Sequence, residues 1–278
     1  MSEWTRPKLM GVLNITPDSF SDGGQFLAPE AALSQARLLV EQGAEIIDVG
    51  GESTRPGAMR VQLSQEQDRV LPVIESIAQE LDVLISIDTM NASTARLAVE
   101  AGANMVNDVS GGLADPEIFS AISGLDCQYV LGHWRGHSDV MDNLVTYSDV
   151  AREVVGELAE QVSMAVANGI ERERIIVDPG LGFAKDMKQN WDLVARLNEL
   201  EQLGLPILVG ASRKRFLASV LNEADPASVS NPRRDVATAV LTALLLQRKL
   251  WGIRVHNVEA TSDAIKVVAA LKESESAR

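Results

Sequence analysis

The chain has 278 residues, which is long for one compact domain but ordinary for an α/β barrel. Hydrophobic residues make up 46% of it, aromatic residues only 4%, and the formal net charge is −14, which argues against non-specific binding to nucleic acid or to an anionic membrane. The single cysteine, Cys127, excludes an internal disulfide and favours a reducing compartment. The first eight residues contain no apolar signal core, and no run of about 18 apolar residues occurs, so we expect a cytoplasmic protein.

Short apolar runs alternate along the chain with longer segments of helical periodicity. The runs predict eight strands, at residues 9–13, 45–49, 83–87, 105–109, 128–131, 175–177, 207–209 and 252–255. The segments between them predict eight helices, at about 29–42, 64–80, 92–101, 115–123, 149–168, 189–203, 233–247 and 260–272. This alternation predicts a closed parallel (β/α)₈ TIM barrel, forming a single domain over residues 1–278.

A doubly wound open sheet is the structural alternative, because it shares the same alternation of strands and helices. The even spacing of eight units, and the lack of a Gly-x-Gly-x-x-Gly turn after the first strand, favour the barrel. The polar segment 222–234 is interpreted as a loop inside the seventh βα unit.

Polar residues stand where the predicted strands end. In chain order they are Asn14, Asp48, Asp88, Asn107, Asp108, His133, Asp178, Ser212, Arg213, Lys214, Arg254 and His256. A single Asp or Asn at such a position can simply cap the following helix. Polar groups that converge on one rim of an apolar barrel are unfavourable unless they meet each other or a polar ligand. The whole set therefore predicts a polar active site at the carboxyl ends of the strands.

Two predicted βα loops, residues 14–24 and 50–57, are longer than the usual ~2–6 residues. Both contain glycine, and the second carries Arg55 next to Pro56. Long glycine-bearing loops over a barrel mouth commonly act as lids, which is the function we expect for them.

Seven segments together resemble the dihydropteroate synthase family along nearly the whole chain. They are residues 11–24 (GVLNITPDSFSDGG), 48–57 (DVGGESTRPG), 85–89 (ISIDT), 106–112 (VNDVSGG), 178–183 (DPGLGF), 210–215 (GASRKR) and 254–256 (RVH). The resemblance implies condensation of 6-hydroxymethyl-7,8-dihydropterin pyrophosphate with 4-aminobenzoate. The products would be 7,8-dihydropteroate and pyrophosphate, with Mg²⁺ as cofactor, sulfonamides as inhibitors and a homodimer as the usual assembly.

The resemblance also implies roles for individual residues. The pterin pocket would be formed by Asp88, Asn107, Asp178 and Lys214, with Asp178 as the main anchor; Arg254 and His256 would bind the pyrophosphate; Asn14 would be a ligand of Mg²⁺; and Thr54, Arg55, Pro56, Phe183 and Ser212, with Phe20, would bind aminobenzoate. Asp88, Lys214, Arg254 and His256 are the expected catalytic residues.

Each assignment has a plainer alternative. Arg254 could form an ion pair with an acidic neighbour, His256 could cap a helix, and Lys214 could be a surface lysine at a helix start. The rings of Phe20 and Phe183 could be ordinary loop packing.

For the mechanism we expect departure of pyrophosphate to lead the reaction, with Mg²⁺, Arg254 and His256 stabilising the leaving group. Asp88 would then stabilise the pterin cation electrostatically. An arylamine is already neutral at pH 7, so its attack needs orientation more than a strong base. Loop closure would bring Asp18, Phe20 and Arg55 over the second substrate and exclude water.

Three residues depart from the family pattern. Gly132 and Trp134 flank His133 where methionine is more usual, and Asn257 stands where aspartate is usual. They leave open a paralogue with altered or weak activity, or one that binds pterin without turnover. A pterin-dependent methyltransferase barrel is the enzymatic alternative, but that group lacks the Ser-Arg-Lys and Arg-Val-His anion sites. Residues 237–246 and the last helix are candidate dimer faces, or else only cover the barrel.

Overall fold

The computed structural model describes residues 5–15, 28–52, 61–137 and 140–276. Its strands are β1 (Lys8–Asn14), β2 (Ile46–Gly50), β3 (Leu84–Asp88), β4 (Met105–Asp108), β5 (Gln128–Gly132), β6 (Ile175–Asp178), β7 (Leu208–Val209) and β8 (Gly252–Val255). Its α-helices are α1 (Ala28–Glu41), α2 (Leu63–Glu80), α3 (Ala92–Glu100), α4 (Ile118–Ser123), α5 (Val150–Ala167), α6 (Met187–Ala195), α7 (Arg215–Leu221), α8 (Asn231–Leu245) and α9 (Val258–Ser276).

The eight strands form one parallel sheet in the order β6-β5-β4-β3-β2-β1-β8-β7. The two ends of this order meet through a parallel bridge between Val177 and Ile207, where the Val177 amide donates to the Pro206 carbonyl at 2.9 Å. The sheet therefore closes on itself, which confirms the barrel and excludes the open sheet. Every strand lies within one residue of its predicted bounds.

The helices differ from the prediction at several positions. Helix α4 begins at Ile118, three residues later than predicted, and α8 begins at Asn231, inside the segment 222–234 that was interpreted as a loop. The two larger differences concern α7 and α6. Helix α7 was not predicted, because it has only seven residues and follows directly on the Ser-Arg-Lys segment that was assigned to a site. The predicted helix 189–203 is instead α6 followed by a 3₁₀ helix at Leu197–Leu203, which ends at Gly204 in the left-handed conformation.

The apolar core has two parts. One lies between the strands and the surrounding helices, and the other fills the barrel interior. The interior part is formed by Met10, Ile46, Met105, Val130, Ile176 and Leu208, with Trp251 packed against it. Each of the six is at most 1% exposed, so each contributes about 1.5–3 kcal/mol by its removal from water.

A polar layer lies directly above this apolar interior. Side chains alternate between the two faces of a strand, so the residue two positions further along points into the barrel again. Those next positions are Asp48 on β2, Asn107 on β4, Gly132 on β5, Asp178 on β6 and Gly210 after β7, whereas on β1 the next position is the apolar Val12. The change from apolar to polar within one inward-facing row places the site at the carboxyl end of the barrel.

Among the helices that the structure describes, none is both long enough and apolar enough to cross a membrane.

Candidate active site

A pocket opens above the polar layer, at the carboxyl ends of the strands. It is lined by Asn107, Val109, Gly132, Asp178, Gly180, Phe183, Gly210, Lys214 and Arg254. The lining thus combines an amide, a carboxylate and two cations with a phenyl ring and three glycines, which leave room for a ligand to approach the backbone.

Arg254, on β8, links two carboxylates at the bottom of the site. Its Nε donates to Asp48 Oδ2 and its Nη2 donates to Asp88 Oδ2, both at 2.6 Å. Asn107 Nδ2 donates to the same Asp48 oxygen at 3.2 Å. Arg254 therefore forms the ion pair that the sequence offered as the alternative to phosphate binding, while its Nη1 donates to no other described residue.

The acidic pair has an unusual charge state. Removal from water raises the pKa of Asp88 to about 7. Arg254 lowers this pKa in part, while the nearby negative charges of Asp48 and Glu66 raise it further. Asp48 is completely buried. Two carboxylates share one guanidinium here, so the cation balances only one negative charge, and this favours the protonated form of Asp88.

Asp178 and Lys214 stand on the other side of the pocket. Asp178 Oδ1 accepts from the Gly180 amide at 2.7 Å, and burial raises the pKa of its carboxyl group. Burial also lowers the pKa of Lys214 to about 8, aided by Arg254 and opposed by Asp178. The Lys214 ammonium lies over the Phe183 ring, 3.9 Å from its centroid, so Phe183 contacts a site cation and is more than loop packing.

Glycine is required at position 182, because the stem of Lys214 crosses this position on its way to the pocket. Gly182 has a φ of +79°, and a Cβ there would come within 2.8 Å of Lys214 Cδ.

Ser212 and His256 form a second polar pair. The Ser212 hydroxyl oxygen accepts from the His256 backbone amide at 3.1 Å and lies 2.9 Å from Nδ1 of the same ring. A hydroxyl that accepts the amide proton can donate its own proton to Nδ1, which leaves the ring proton of neutral His256 on Nε2.

Arg213 holds the seventh loop in place. Its guanidinium forms a bidentate ion pair with Asp235 on α8, with Nε 2.6 Å from Oδ1 and Nη2 2.8 Å from Oδ2. The Arg213 backbone has a left-handed φ of 59°. Because Arg213 turns outward to the helix, its neighbours Ser212 and Lys214 can face the barrel mouth.

Asn14 is placed at the end of β1, beside the acidic pair. A Cβ on Gly50 would lie 3.7 Å from both Asn14 Oδ1 and Asp88 Oδ2, so these two oxygens border the same small space. The described residues contain no group of three or more His, Cys, Asp or Glu side chains that could hold a metal. Mg²⁺ commonly keeps several waters and takes only one or two protein oxygens. A site whose protein ligand is the Asn14 side-chain oxygen is compatible with this small number.

Several predicted residues lie outside the described part of the chain, namely Thr54, Arg55, Pro56, Asp18 and Phe20. Of the three departures, Gly132 lines the pocket, whereas Trp134 is absent from its lining and packs edge-on against His137. Asn257 Oδ1 accepts from the Ala260 amide at the start of α9, so this side chain caps a helix.

Asp48 belongs to the polar set at the predicted strand ends, but its individual role and its partners were not predicted from the sequence. The available signal was its place in the inward-facing row, two residues after the buried Ile46. Its partner Arg254 is 206 residues away, and only closure of the barrel brings the two together.

Comparison with known proteins agrees with this geometry. The model of the pterin binding enzyme family matches residues 10–256. The dihydropteroate synthase of Mycobacterium leprae is 46% identical over 264 residues, covering 95% of this chain and 93% of the relative.

Two solved structures are also similar. Xanthomonas albilineans dihydropteroate synthase with 4-aminobenzoic acid has 39% identity and a TM-score of 0.88, covering 96% of this chain and 93% of the other. The Yersinia pestis enzyme with a sulfonamide drug has 36% identity and a TM-score of 0.89, covering 98% and 96%. The chain therefore belongs to the dihydropteroate synthases of the pterin-binding enzyme family.

Proposed function

We propose that this chain condenses 6-hydroxymethyl-7,8-dihydropterin pyrophosphate with 4-aminobenzoate, giving 7,8-dihydropteroate and pyrophosphate. The observation that carries the proposal is the convergence of Asn107, Asp178, Lys214 and Arg254 on one pocket at the carboxyl end of the barrel. The 4-aminobenzoic acid and sulfonamide complexes of similar structures support the second substrate and sulfonamide inhibition.

The deep side of the pocket suits the pyrimidine edge of a dihydropterin. That edge presents an amino group and an N3–H beside a carbonyl, and a carboxylate can accept both N–H groups. Asp178 Oδ1 already accepts from the Gly180 amide. Asp178 Oδ2 lies beside Gly210, 3.5 Å from the position that a Cβ on this glycine would take. Asp178 would accept from the ring, Asn107 would donate and accept beside it, and Lys214 would donate to the carbonyl.

The diphosphate would lie further out, towards His256. Arg254 already binds two carboxylates, so only its Nη1 would be available to a phosphate oxygen. Arg254 would therefore act mainly by fixing Asp48 and Asp88, while its Nη1 and His256 Nε2 donate to the leaving group. These donors would stabilise the negative charge that develops on pyrophosphate as the bond breaks.

Asp88 is proposed to stabilise, through its negative charge, the cation left on the pterin methylene. The electron-rich ring would share that charge, and the neutral amine of aminobenzoate would attack the carbon and then lose a proton. Phe183 would provide a flat wall for the benzene ring, and Ser212, with Thr54, Arg55, Pro56 and Phe20, is proposed to complete that subsite. Orientation by these walls, more than a strong base, would set the rate of attack.

Mg²⁺ is proposed as the cofactor, with Asn14 supplying a protein ligand. The ion would neutralise part of the diphosphate charge when bound. We expect EDTA to abolish pyrophosphate release, Mg²⁺ to restore it, and Asn14→Ala to raise the Mg²⁺ concentration needed. Full activity in EDTA would disprove the requirement.

A homodimer in the cytoplasm is proposed as the working form. Helix α8 exposes Val236, Val240 and Leu244 in one row at intervals of four residues, and α9 beside it exposes Val267 and Leu271. Such a row of exposed apolar side chains is typical of an interface. Sedimentation should give a dimer for the wild type and a monomer for Val240→Glu; a monomeric wild type would disprove the assembly.

The reaction itself is tested by pyrophosphate release. Release that requires both substrates, together with formation of dihydropteroate, supports the synthase. Binding of the pterin without release would indicate a paralogue that has lost turnover. Methyl transfer from a methylated pterin to a corrinoid protein would indicate the methyltransferase alternative.

A further inference from the structure

A second cluster of titratable side chains lies behind the pocket, between β5, β6 and α5. It consists of His133, Arg135, Glu157 and Lys185. His133 is 2% exposed and Lys185 is 7% exposed. None of the four lines the pocket, so the mechanism above gives them no role.

Lys185 makes three hydrogen bonds. Its Nζ lies 2.9 Å from His133 Nδ1, 3.0 Å from the Gly180 carbonyl oxygen and 3.1 Å from the Phe183 carbonyl oxygen. The two carbonyl oxygens can only accept, and Nδ1 of a neutral ring also accepts when Nε2 donates to the Glu157 carboxylate, so Lys185 donates three hydrogen bonds as an ammonium group. Burial lowers the pKa of Lys185 to about 7, and Asp178 and Glu157 raise it in part.

His133 connects Lys185 to Glu157 on α5. Because Nδ1 accepts from Lys185, the ring proton of neutral His133 is on Nε2, which donates to Glu157 Oε2 at 2.9 Å. Burial lowers the pKa of His133 to about 4, consistent with a neutral ring. Arg135 donates to the same carboxylate, so Glu157 is held from two sides.

The two carbonyls that Lys185 binds are the ends of the turn after β6. The Gly180 amide donates to Asp178 Oδ1 at 2.7 Å, and the Phe183 ring lies over the Lys214 ammonium. Ala184, between Phe183 and Lys185, is buried with a left-handed φ of 46°, which is unfavourable for a residue with a Cβ. The turn therefore depends on contacts outside itself to keep its shape.

We infer that Lys185 is a positioning residue for the pterin site: it ties both ends of the Gly180–Phe183 turn to His133 and so holds Asp178 and Phe183 in place. This inference rests on the proposed function. Lys185 itself touches no substrate and acts through the amide of Gly180 and the ring of Phe183.

The test compares Lys185→Met with Lys188→Met. Methionine keeps most of the length and apolar volume of Lys185 but can donate no hydrogen bond. Lys188 is an exposed lysine on the adjacent α6, paired with Asp192, and serves as the matched control. Binding of the pterin pyrophosphate, without aminobenzoate, is titrated calorimetrically, and KM and kcat are measured with both substrates.

Lys185→Met should weaken pterin binding about tenfold or more and raise the KM for the pterin substrate, as loss of a supporting shell does elsewhere. Lys188→Met should match the wild type. Pterin binding by folded Lys185→Met within twofold of the wild type would overturn the inference.

A second measurement needs no lysine variant. Nitrogen-15 NMR of the wild type should show His133 as the Nε2–H tautomer, with the resonance assigned by its loss in His133→Gln. An Nδ1–H tautomer would overturn the inference even if Lys185→Met failed to fold. Failure of the wild type to bind the pterin would instead refute the proposed function, so the two failures are distinguishable.

Discussion

Arg254 and Asp88 are joined by a hydrogen-bonded ion pair, with Nη2 2.6 Å from Oδ2, although 166 residues separate them in the chain. Asp48 binds the same guanidinium through Nε. One cation thus fixes two acids of the barrel interior, and this shared arrangement sets the charge of the candidate site.

Arg254→Ala should lower kcat by roughly 10²-fold or more, because Asp48 and Asp88 lose the cation that fixes them and the leaving group loses the Nη1 donor. It should also destabilise the fold by about 3–5 kcal/mol, since two carboxylates lose their cation. Steady-state kinetics and urea denaturation check the two effects. Half-buried Arg248, which lies between α8 and β8 and binds the Asn198 side chain and the Ala195 carbonyl oxygen, provides the control Arg248→Ala. Near-normal turnover of folded Arg254→Ala would contradict its assigned role.

Asp48→Asn should shift the acid limb of the pH–activity profile to lower pH. In the wild type, activity should fall as pH decreases through about 7, because Asp88 gains a proton there and loses its charge. Removing the negative charge of Asp48 favours the ionised form of Asp88, so its pKa decreases. The measurement is kcat/KM from pH 5 to 9. Asp82→Asn, at an exposed position, should leave the limb unchanged; a limb that stays in place or rises in Asp48→Asn would refute the coupling.

His133 should make the protein sensitive to acid. Burial lowers its pKa from 6.5 to about 4, so between these values the unfolded chain binds a proton that the folded chain does not. The free energy of unfolding should therefore fall as pH decreases from 6.5 to 4, by about 3 kcal/mol from this residue. Urea denaturation across this window measures the loss. His133→Gln, whose amide can both accept and donate, should show a shallower dependence; an identical slope would rule out His133 as the cause.

Gly132→Ala should destabilise the fold and weaken pterin binding. A Cβ there would lie 2.7 Å from the Val109 carbonyl oxygen and 2.8 Å from the Val109 Cα, so the backbone at the pocket wall must move. Overpacking of this kind costs about 1–3 kcal/mol. The matched control is Gly156→Ala in α5, where a Cβ meets nothing within 4 Å and should stabilise the helix by about 0.5–1 kcal/mol. Denaturation midpoints for the two variants should move in opposite directions, and a shared direction would contradict the packing argument.

Local patterning was sufficient to predict the barrel. Buried parallel strands are short continuous apolar runs, and the helices between them keep a 3.6-residue period, so the strand bounds agree within one residue. The polar strand ends were visible for the same reason, because they interrupt apolar runs at Asp88, Asn107 and Asp178. Helix α7 was missed, since seven residues after a site motif carry too little periodicity to be recognised.

The sequence by itself determined the eightfold alternation and the concentration of acids, amides and cations at one end of it. Only the tertiary structure decided which of them meet. Arg254 binds Asp48 and Asp88 because the first and last strands meet in the closed sheet, and Lys185 binds His133 because β5 and β6 pair side by side. Burial then requires each charge to find a partner. The spacing of residues along the chain does not show which side chains meet inside the barrel. The contacts of Asp48 and Lys185 are therefore known only from the folded structure.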